Sequence, residues 1–197
     1  MDGVERETKE KAINIINKNL RQQVNLIDQM IIFSDMETFL EQTNWQKFVI
    51  NELLTQCLNE MIVQISKKKI NLTNNLPIEN LTIYGDKEKI KKAITILLDN
   101  SIKFTPEAGD IKLSLYAKNN SALIKIVDSG EGISPELMPN IFEGFRQSDS
   151  SSIRKYGGLG LSLAIAKKII ESHKGSIKIE SEGSNLGTTI NVSFPLY

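Results

Sequence analysis

Apolar residues recur at steps of three and four through the first forty positions: Ile13, Ile16, Leu20, Val24, Ile27 and Ile31. That spacing predicts one long helix with a bundle or coiled-coil seam. Pro and Gly are absent from it after Gly3, and its other faces carry Lys, Asn, Arg, Gln and Asp. A helix with a single stripe cannot bury it alone, so it must pack on another helix. A symmetric second copy is the simplest supplier, which makes a homodimer through residues 13–31 the expected arrangement. The alternative is a helix folded back on its own domain.

A polar break, Glu41 to Asn44, separates this helix from the rest of the chain. Trp45 to Ile50 suggests a strand, and Asn51 reads as the cap of an amphipathic helix reaching about Ser66. Ile70 to Leu76 and Leu81 to Tyr84 read as short strands on either side of a turn at Pro77. A helix is expected from Lys87 to Phe104, with Asp86 as its cap and Pro106 just past its end. Asp110 to Ala117 and Ala122 to Val127 alternate apolar and polar around Lys118-Asn-Asn-Ser121, a hairpin signal. Ser134-Pro-Glu predicts a short helix. Ser148 to Gly158 has no periodicity and is expected to be a mobile loop. A helix from Gly160 to His173 and a hairpin of Ser176 to Glu182 with Thr188 to Phe194 close the chain. Runs of helix and hairpin, rather than strict alternation, point to an α+β fold, a two-layer sandwich with an open sheet.

The 197 residues balance 24 Lys and Arg against 24 Asp and Glu. Neutrality argues against a coat for nucleic acid or an anionic membrane, both of which reward a basic surface. A single cysteine, Cys57, excludes an intrachain disulfide and a Cys-based zinc finger. A single histidine, His173, excludes multi-His metal sites and histidine triads elsewhere. The longest apolar runs are about four residues, as at Met30 to Phe33, against the ~20 of a spanning helix. No secretory signal opens the chain, so a cytoplasmic location and no membrane segment are expected.

Candidate chemistry gathers in glycine-bearing clusters and one helix face. Asn100 and Lys103 lie three apart, an amide oxygen able to ligate Mg²⁺ beside an ammonium able to neutralise phosphate. Taken alone, this pair reads first as a solvated helix edge. Asp128-Ser-Gly-Glu-Gly132-Ile133 follows an apolar strand; its carboxylate could accept from an exocyclic amine while Gly130 and Gly132 let backbone approach a ring. The same letters also spell an ordinary turn. Tyr156-Gly-Gly-Leu-Gly160-Leu161 leads glycines into a helix start, an anion site by its free amides and dipole, or else a hinge. Neither a Walker loop nor a dinucleotide fingerprint fits its order. Gly183 to Thr189 is a glycine-flanked turn that could set Thr188 beside a ligand.

In this order and spacing the clusters resemble the ATP-binding domain of sensor histidine kinases, within the gyrase, Hsp90, histidine kinase and MutL superfamily. Leu97-Leu-Asp-Asn-Ser-Ile-Lys-Phe-Thr-Pro106 looks like the N box, and Asp128 to Ile133 like the first glycine box. Ile141-Phe-Glu-Gly-Phe145-Arg-Gln147 is similar to the F box. Gly157 to Leu163 and Gly187-Thr188 match the second glycine box and the last motif. Leu26 to Glu37 looks like the end of the second helix of the dimerisation and phosphotransfer hairpin. The resemblance implies a Bergerat-type fold, a mixed sheet with helices on one face. It divides the chain into a hairpin helix over 1–42 and an ATP-binding catalytic domain over 44–197. The first hairpin helix, which bears the phospho-accepting His, is missing from this sequence, and His173 at a helix end before Lys174-Gly175 reads as structural.

Carried over by match, ATP and Mg²⁺ are the cofactors, with Asn100 ligating Mg²⁺ and Lys103 contacting phosphate. Phe104 and Ile133 would line the adenine pocket, and Asp128 would accept from the adenine amine. Phe145 and Gln147 fall in the F box, Gly158, Gly160 and Leu161 offer backbone to the phosphates, and residues 148–157 would form a lid. The implied function is transfer of the ATP γ-phosphoryl group to a His on the missing helix, then to a response-regulator Asp. Two residues depart from the pattern. Ile96 stands where gyrase-like relatives carry a water-activating Glu, which makes hydrolysis by that route improbable. Ser162 replaces a glycine of the second glycine box. A nucleotide-binding scaffold with a decayed site, and a serine kinase of the same superfamily, are the competing readings.

Overall fold

The computed structural model describes residues 2–145 and 159–197. The seam helix forms as α1 (Asp2–Ser34), and a second short helix, α2 (Met36–Glu41), comes after a break at Asp35. One continuous helix over forty residues is therefore corrected to two. Asp35 leaves helical geometry (φ −119°, ψ 45°) although its amide still donates to Ile31 and its carbonyl accepts from Phe39. Around that break Phe33, Met36, Phe39 and Leu40 pack against the core of the rest of the chain. Upstream, Ile13, Ile16, Leu20, Val24, Ile27 and Ile31 are all exposed, so the stripe has no partner among the described residues.

The remaining elements are β1 (Trp45–Val49), α3 (Ile50–Lys67), β2 (Asn71–Asn75), β3 (Thr82–Asp86), α4 (Lys87–Phe104), β4 (Asp110–Lys118) and β5 (Ser121–Asp128). A 3₁₀ turn (Met138–Asn140), α5 (Ser162–Ser172), β6 (Ser176–Glu180) and β7 (Thr188–Pro195) complete them. The sheet runs β2-β4-β5-β7-β6, antiparallel except for the parallel pair β2–β4, while β1 and β3 form a separate antiparallel ribbon. Period-2 alternation sends Ile111, Leu113 and Leu115 of β4, Ala122, Ile124 and Ile126 of β5, and Ile190, Val192 and Phe194 of β7 to one buried face. There they meet the apolar stripes of α3, α4 and α5, including Leu53, Leu54, Ile90, Ile94, Leu97, Ile165 and Ile169. The other sheet face is mostly polar, with Lys112, Lys125 and Lys178 on it beside Tyr116, Leu123 and Val127. This is the expected two-layer α+β sandwich with a mixed sheet.

Two local expectations are corrected. Asn51 does not cap α3, whose N-cap is Val49; it lies inside the first turn and ties down a distant loop. Its side-chain N–H groups donate to the carbonyls of Pro77 (3.1 Å) and Glu79 (3.0 Å), and its oxygen accepts from the Leu81 amide (3.0 Å). Ser134-Pro-Glu makes only a turn, the Ser134 carbonyl accepting from the amides of Leu137 and Met138, before the 3₁₀ turn. Asp86 does cap α4, accepting from the Lys89 amide at 3.0 Å.

His173 is buried and structural. Its Nε2 accepts from the Asp86 amide (3.1 Å), its Nδ1–H donates to the Ile169 carbonyl (2.7 Å), and its ring lies 5.0 Å from Trp45. Burial lowers its pKa below 6.5 against the opposing pull of the Ile169 carbonyl and Asp86. The unfolded chain therefore binds the extra proton first, so His173 stabilises the fold above pH 6.5 and that contribution is lost as pH falls below it. Asp86 acts in a lower window. Burial raises its pKa, but the amides of Asn44 and Lys89 and the Lys89 ammonium outweigh it and hold it below 3.8. Melting temperature is expected to fall as pH drops below about 6.5, and His173→Phe to flatten that slope, because no other imidazole exists in the sequence. A wild-type curve flat across this window would contradict the assignment.

Candidate functional site

Asp128 is the inward-facing residue next after Ile124 and Ile126 in the alternation of β5, so the pattern that builds the core also buries a carboxylate at the strand end. It is received by donors from three elements. Oδ1 accepts from the Gly130 amide (3.0 Å), Oδ2 accepts from the Ser101 hydroxyl of α4 (3.0 Å), and the Thr188 amide of β7 donates as well. Burial pushes the Asp128 pKa up, and these three donors oppose it. A carboxylate so placed is a directional acceptor in a low-dielectric recess.

The glycines around it serve a physical role different from simple room for a ligand. Gly132 has φ +64° and its Cα faces the Gly183 carbonyl at a distance that leaves no space for a side chain. Gly187 (φ +71°) backs onto the Asp128 carbonyl in the same way. A Cβ at Gly130 would lie 2.7 Å from Asp128 Oδ1 and 2.9 Å from the Phe104 carbonyl. The loops are knitted by Asn185 N to Glu131 O (2.6 Å), Gly187 N to Gly130 O (3.1 Å) and Glu131 N to Phe104 O (3.1 Å). Ser181, which no sequence pattern singles out, is the knot: its Oγ accepts from the Ile133 amide (3.0 Å) and donates to the Gly187 carbonyl (2.7 Å).

On α4, Ile96, Asn100 and Lys103 fall on one face, each half-buried. The Asn100 side chain has no hydrogen-bond partner among the described residues, which leaves its amide oxygen available to a cation. No cluster of three His, Cys, Asp or Glu occurs among the described residues. A Mg²⁺ here would draw its remaining ligands from phosphate and water, the usual preference of that ion. Lys103 Nζ lies 5.1 Å from the Phe104 ring centroid, and burial lowers its pKa with Asp99 opposing.

Gly160 (φ +70°) precedes the start of α5, and Ser162 is the first residue of that helix. Leu161 is fully buried in the core, so only its backbone can reach a ligand. Phe145 is exposed and meets Phe33 of α1 edge-on, with centroids 5.7 Å apart. Gln147, Gly158 and the expected lid lie outside the described residues. Two surface recesses, about 550 Å³ along α3 and about 380 Å³ on the open sheet face, contain none of these groups.

Residues 85–197 match the family model described as histidine kinase-, DNA gyrase B-, and HSP90-like ATPase. The chain belongs to that ATPase family. Its relatives within it are sensor histidine kinases: over 187 residues it is 33% identical to the sensor protein RprX of Bacteroides fragilis, covering 94% of this chain and 35% of that protein. The catalytic domain of histidine kinase ThkA superposes with a TM-score of 0.68 at 27% identity, over 77% of this chain and 97% of that one. ThkA solved in complex with the response regulator TrrA gives a TM-score of 0.75 at 26% identity, over 97% of this chain and 52% of that one. This ATPase domain thus has the architecture of a histidine kinase ATP-binding catalytic domain. The chain spans less than half the length of the curated relatives it matches.

Proposed function

We propose that the Asp128 recess of this ATPase-family chain binds MgATP for phosphoryl transfer to a histidine carried by a helix outside the present sequence, with relay to a response-regulator aspartate. The observation that carries the reading is the buried Asp128 carboxylate, fixed by Gly130, Ser101 and Thr188 where α4 and two glycine loops converge. Asp128 accepts from the adenine amine, and Phe104 and Ile133 bound the ring. Gly130 and Gly132 shape the loop, with Gly158, Gly160, Leu161 and Gln147 on the phosphate side. Lys103 neutralises phosphate charge, and Asn100 would hold Mg²⁺, which would supply further neutralisation of phosphate charge. In transfer the bond from the γ-phosphorus to the bridging oxygen breaks, a nitrogen–phosphorus bond forms on the imidazole, and ADP leaves. The chain contributes positioning and electrostatics. Ile96 packs against the core and cannot act as a base, which disfavours hydrolysis in the gyrase manner.

In this reading residues 1–42, α1 followed by the short α2, supply the second limb of the phosphotransfer hairpin, paired through the exposed stripe at 13–31 in a homodimer, and 44–197 are the catalytic domain. No helix among the described residues is long and apolar enough to cross a membrane. We place the domain in the cytoplasm, with its ATP. The test is incubation with γ-labelled ATP, Mg²⁺ and a supplied hairpin bearing an acceptor His. Acid-labile, alkali-stable label on the hairpin, and none on this chain alone, is expected. Nucleotide binding without any transfer would favour the scaffold reading, for which Ile96 and Ser162 are the residues to repair.

A further inference from the structure

We propose that Lys68, at the C-terminal end of α3, is a positioning residue for the nucleotide site, clamping the last turn of α4 so that Lys103 and Phe104 stay in register with the Asp128 loop. The inference rests on the reading of that recess as the nucleotide site. The Lys68 ammonium donates to three carbonyls: Ile102 (2.7 Å), Lys103 (2.9 Å) and Thr105 (2.7 Å). Three N–H groups meet three acceptors at the negative end of a helix dipole, where carbonyls otherwise lack intrahelical partners. The carbonyl between them, that of Phe104, accepts instead from the Glu131 amide in the glycine loop (3.1 Å). Lys68 and Glu131 therefore grip one turn from opposite sides, and that turn bears two of the candidate ligand-contacting side chains.

Lys68 is itself fixed. Its amide donates to Gln64 (3.1 Å) and its carbonyl accepts from Ala108 (2.9 Å) in the loop after α4. The clamp thus spans 34 to 37 residues of sequence, joining the end of α3 to the end of α4. Tolerance on the far side is small, because Gly130 is already close enough to the Phe104 carbonyl that a Cβ there would sit at 2.9 Å. Without the ammonium, three carbonyls seek water, the turn loosens, and Phe104 and Lys103 lose their relation to Asp128. Such small misplacement of binding groups is costly to recognition.

The test measures binding of a non-hydrolysable ATP analogue with Mg²⁺ to the whole chain by calorimetry, well below the melting temperature. Wild type, Lys68→Met, Lys68→Arg and Asp128→Asn are compared, with melting curves for each. Lys68→Met is expected to bind about tenfold more weakly or worse while folded, and Lys68→Arg to recover most of that loss. A residue that only stabilises the fold would shift melting and leave affinity untouched. Lys68→Met within about twofold of wild type, with Asp128→Asn weakened about tenfold or more, would overturn the proposal alone. Asp128→Asn binding as wild type does would instead remove the underlying site reading, and the proposal with it. Should Lys68→Met fail to fold, Lys68→Gln, which keeps an N–H donor, carries the comparison: an intermediate loss is expected, and unchanged affinity overturns the clamp.

Discussion

Asp128→Asn is expected to weaken MgATP-analogue binding by about ten- to hundredfold while the domain stays folded, since a hydrogen bond to a charged group contributes about 1.5–3 kcal/mol. The amide keeps the shape of the carboxylate but can place an N–H where the adenine amine needs an acceptor. Folding suffers little, because the Ser101 hydroxyl that donates to Oδ2 can turn and accept. Burial holds the Asp128 pKa above 3.8. Nucleotide affinity should therefore fall with pH through that raised value as the acceptor gains a proton. Its effect on stability has the opposite sign to that of His173: the folded state holds the proton longer, so the charged form costs stability as pH rises through the window. Calorimetry of both chains across pH measures the two effects. Equal affinity in wild type and Asp128→Asn would contradict the role of the carboxylate.

Gly132→Ala is expected to be more damaging to the fold. At φ +64° an alanine is strained by ~1–2 kcal/mol from the backbone alone. Its Cβ would also collide with the Gly183 carbonyl, which is backbone and cannot swing aside. Loop separation would then break the Asn185–Glu131 and Gly187–Gly130 hydrogen bonds, bringing the total to about 2–4 kcal/mol. Nucleotide binding should be lost with it. Gly183→Ala separates strain from collision, because φ is +139° there but the nearest atom to a Cβ is Leu186 Cδ1 at 3.8 Å. Urea unfolding should rank Gly132→Ala well below Gly183→Ala; the reverse order would refute the close-packing account of the loops.

Features that depend on local periodicity are legible in the sequence. The β4–β5 hairpin, the α4 stripe with its Asp86 cap and the inward position of Asp128 come from spacing alone. Features that depend on partners far along the chain are not. Asn51 carries a cap residue's chemistry, but its acceptors are at 77 and 79, and nothing local announces them. Lys68 sits in the run Lys67-Lys68-Lys69 and reads as a solvated charge, although its ammonium is spent on the end of another helix. Ser181 looks like any turn serine until the two glycine loops meet on it. The glycines read as a site signal, yet Gly132 and Gly187 are required first for backbone meeting backbone. The parallel pairing of β2 with β4 is likewise a long-range choice, since either strand alone reads the same in both directions.

The most direct measurement is calorimetric titration of the unaltered chain with a non-hydrolysable ATP analogue, with and without Mg²⁺. Saturable one-site binding that tightens with Mg²⁺ is the predicted result, as Asn100 would hold the metal and Lys103 the phosphates. Absence of binding at millimolar analogue would contradict it, and would leave an ATPase-family fold whose Asp128 recess holds no nucleotide.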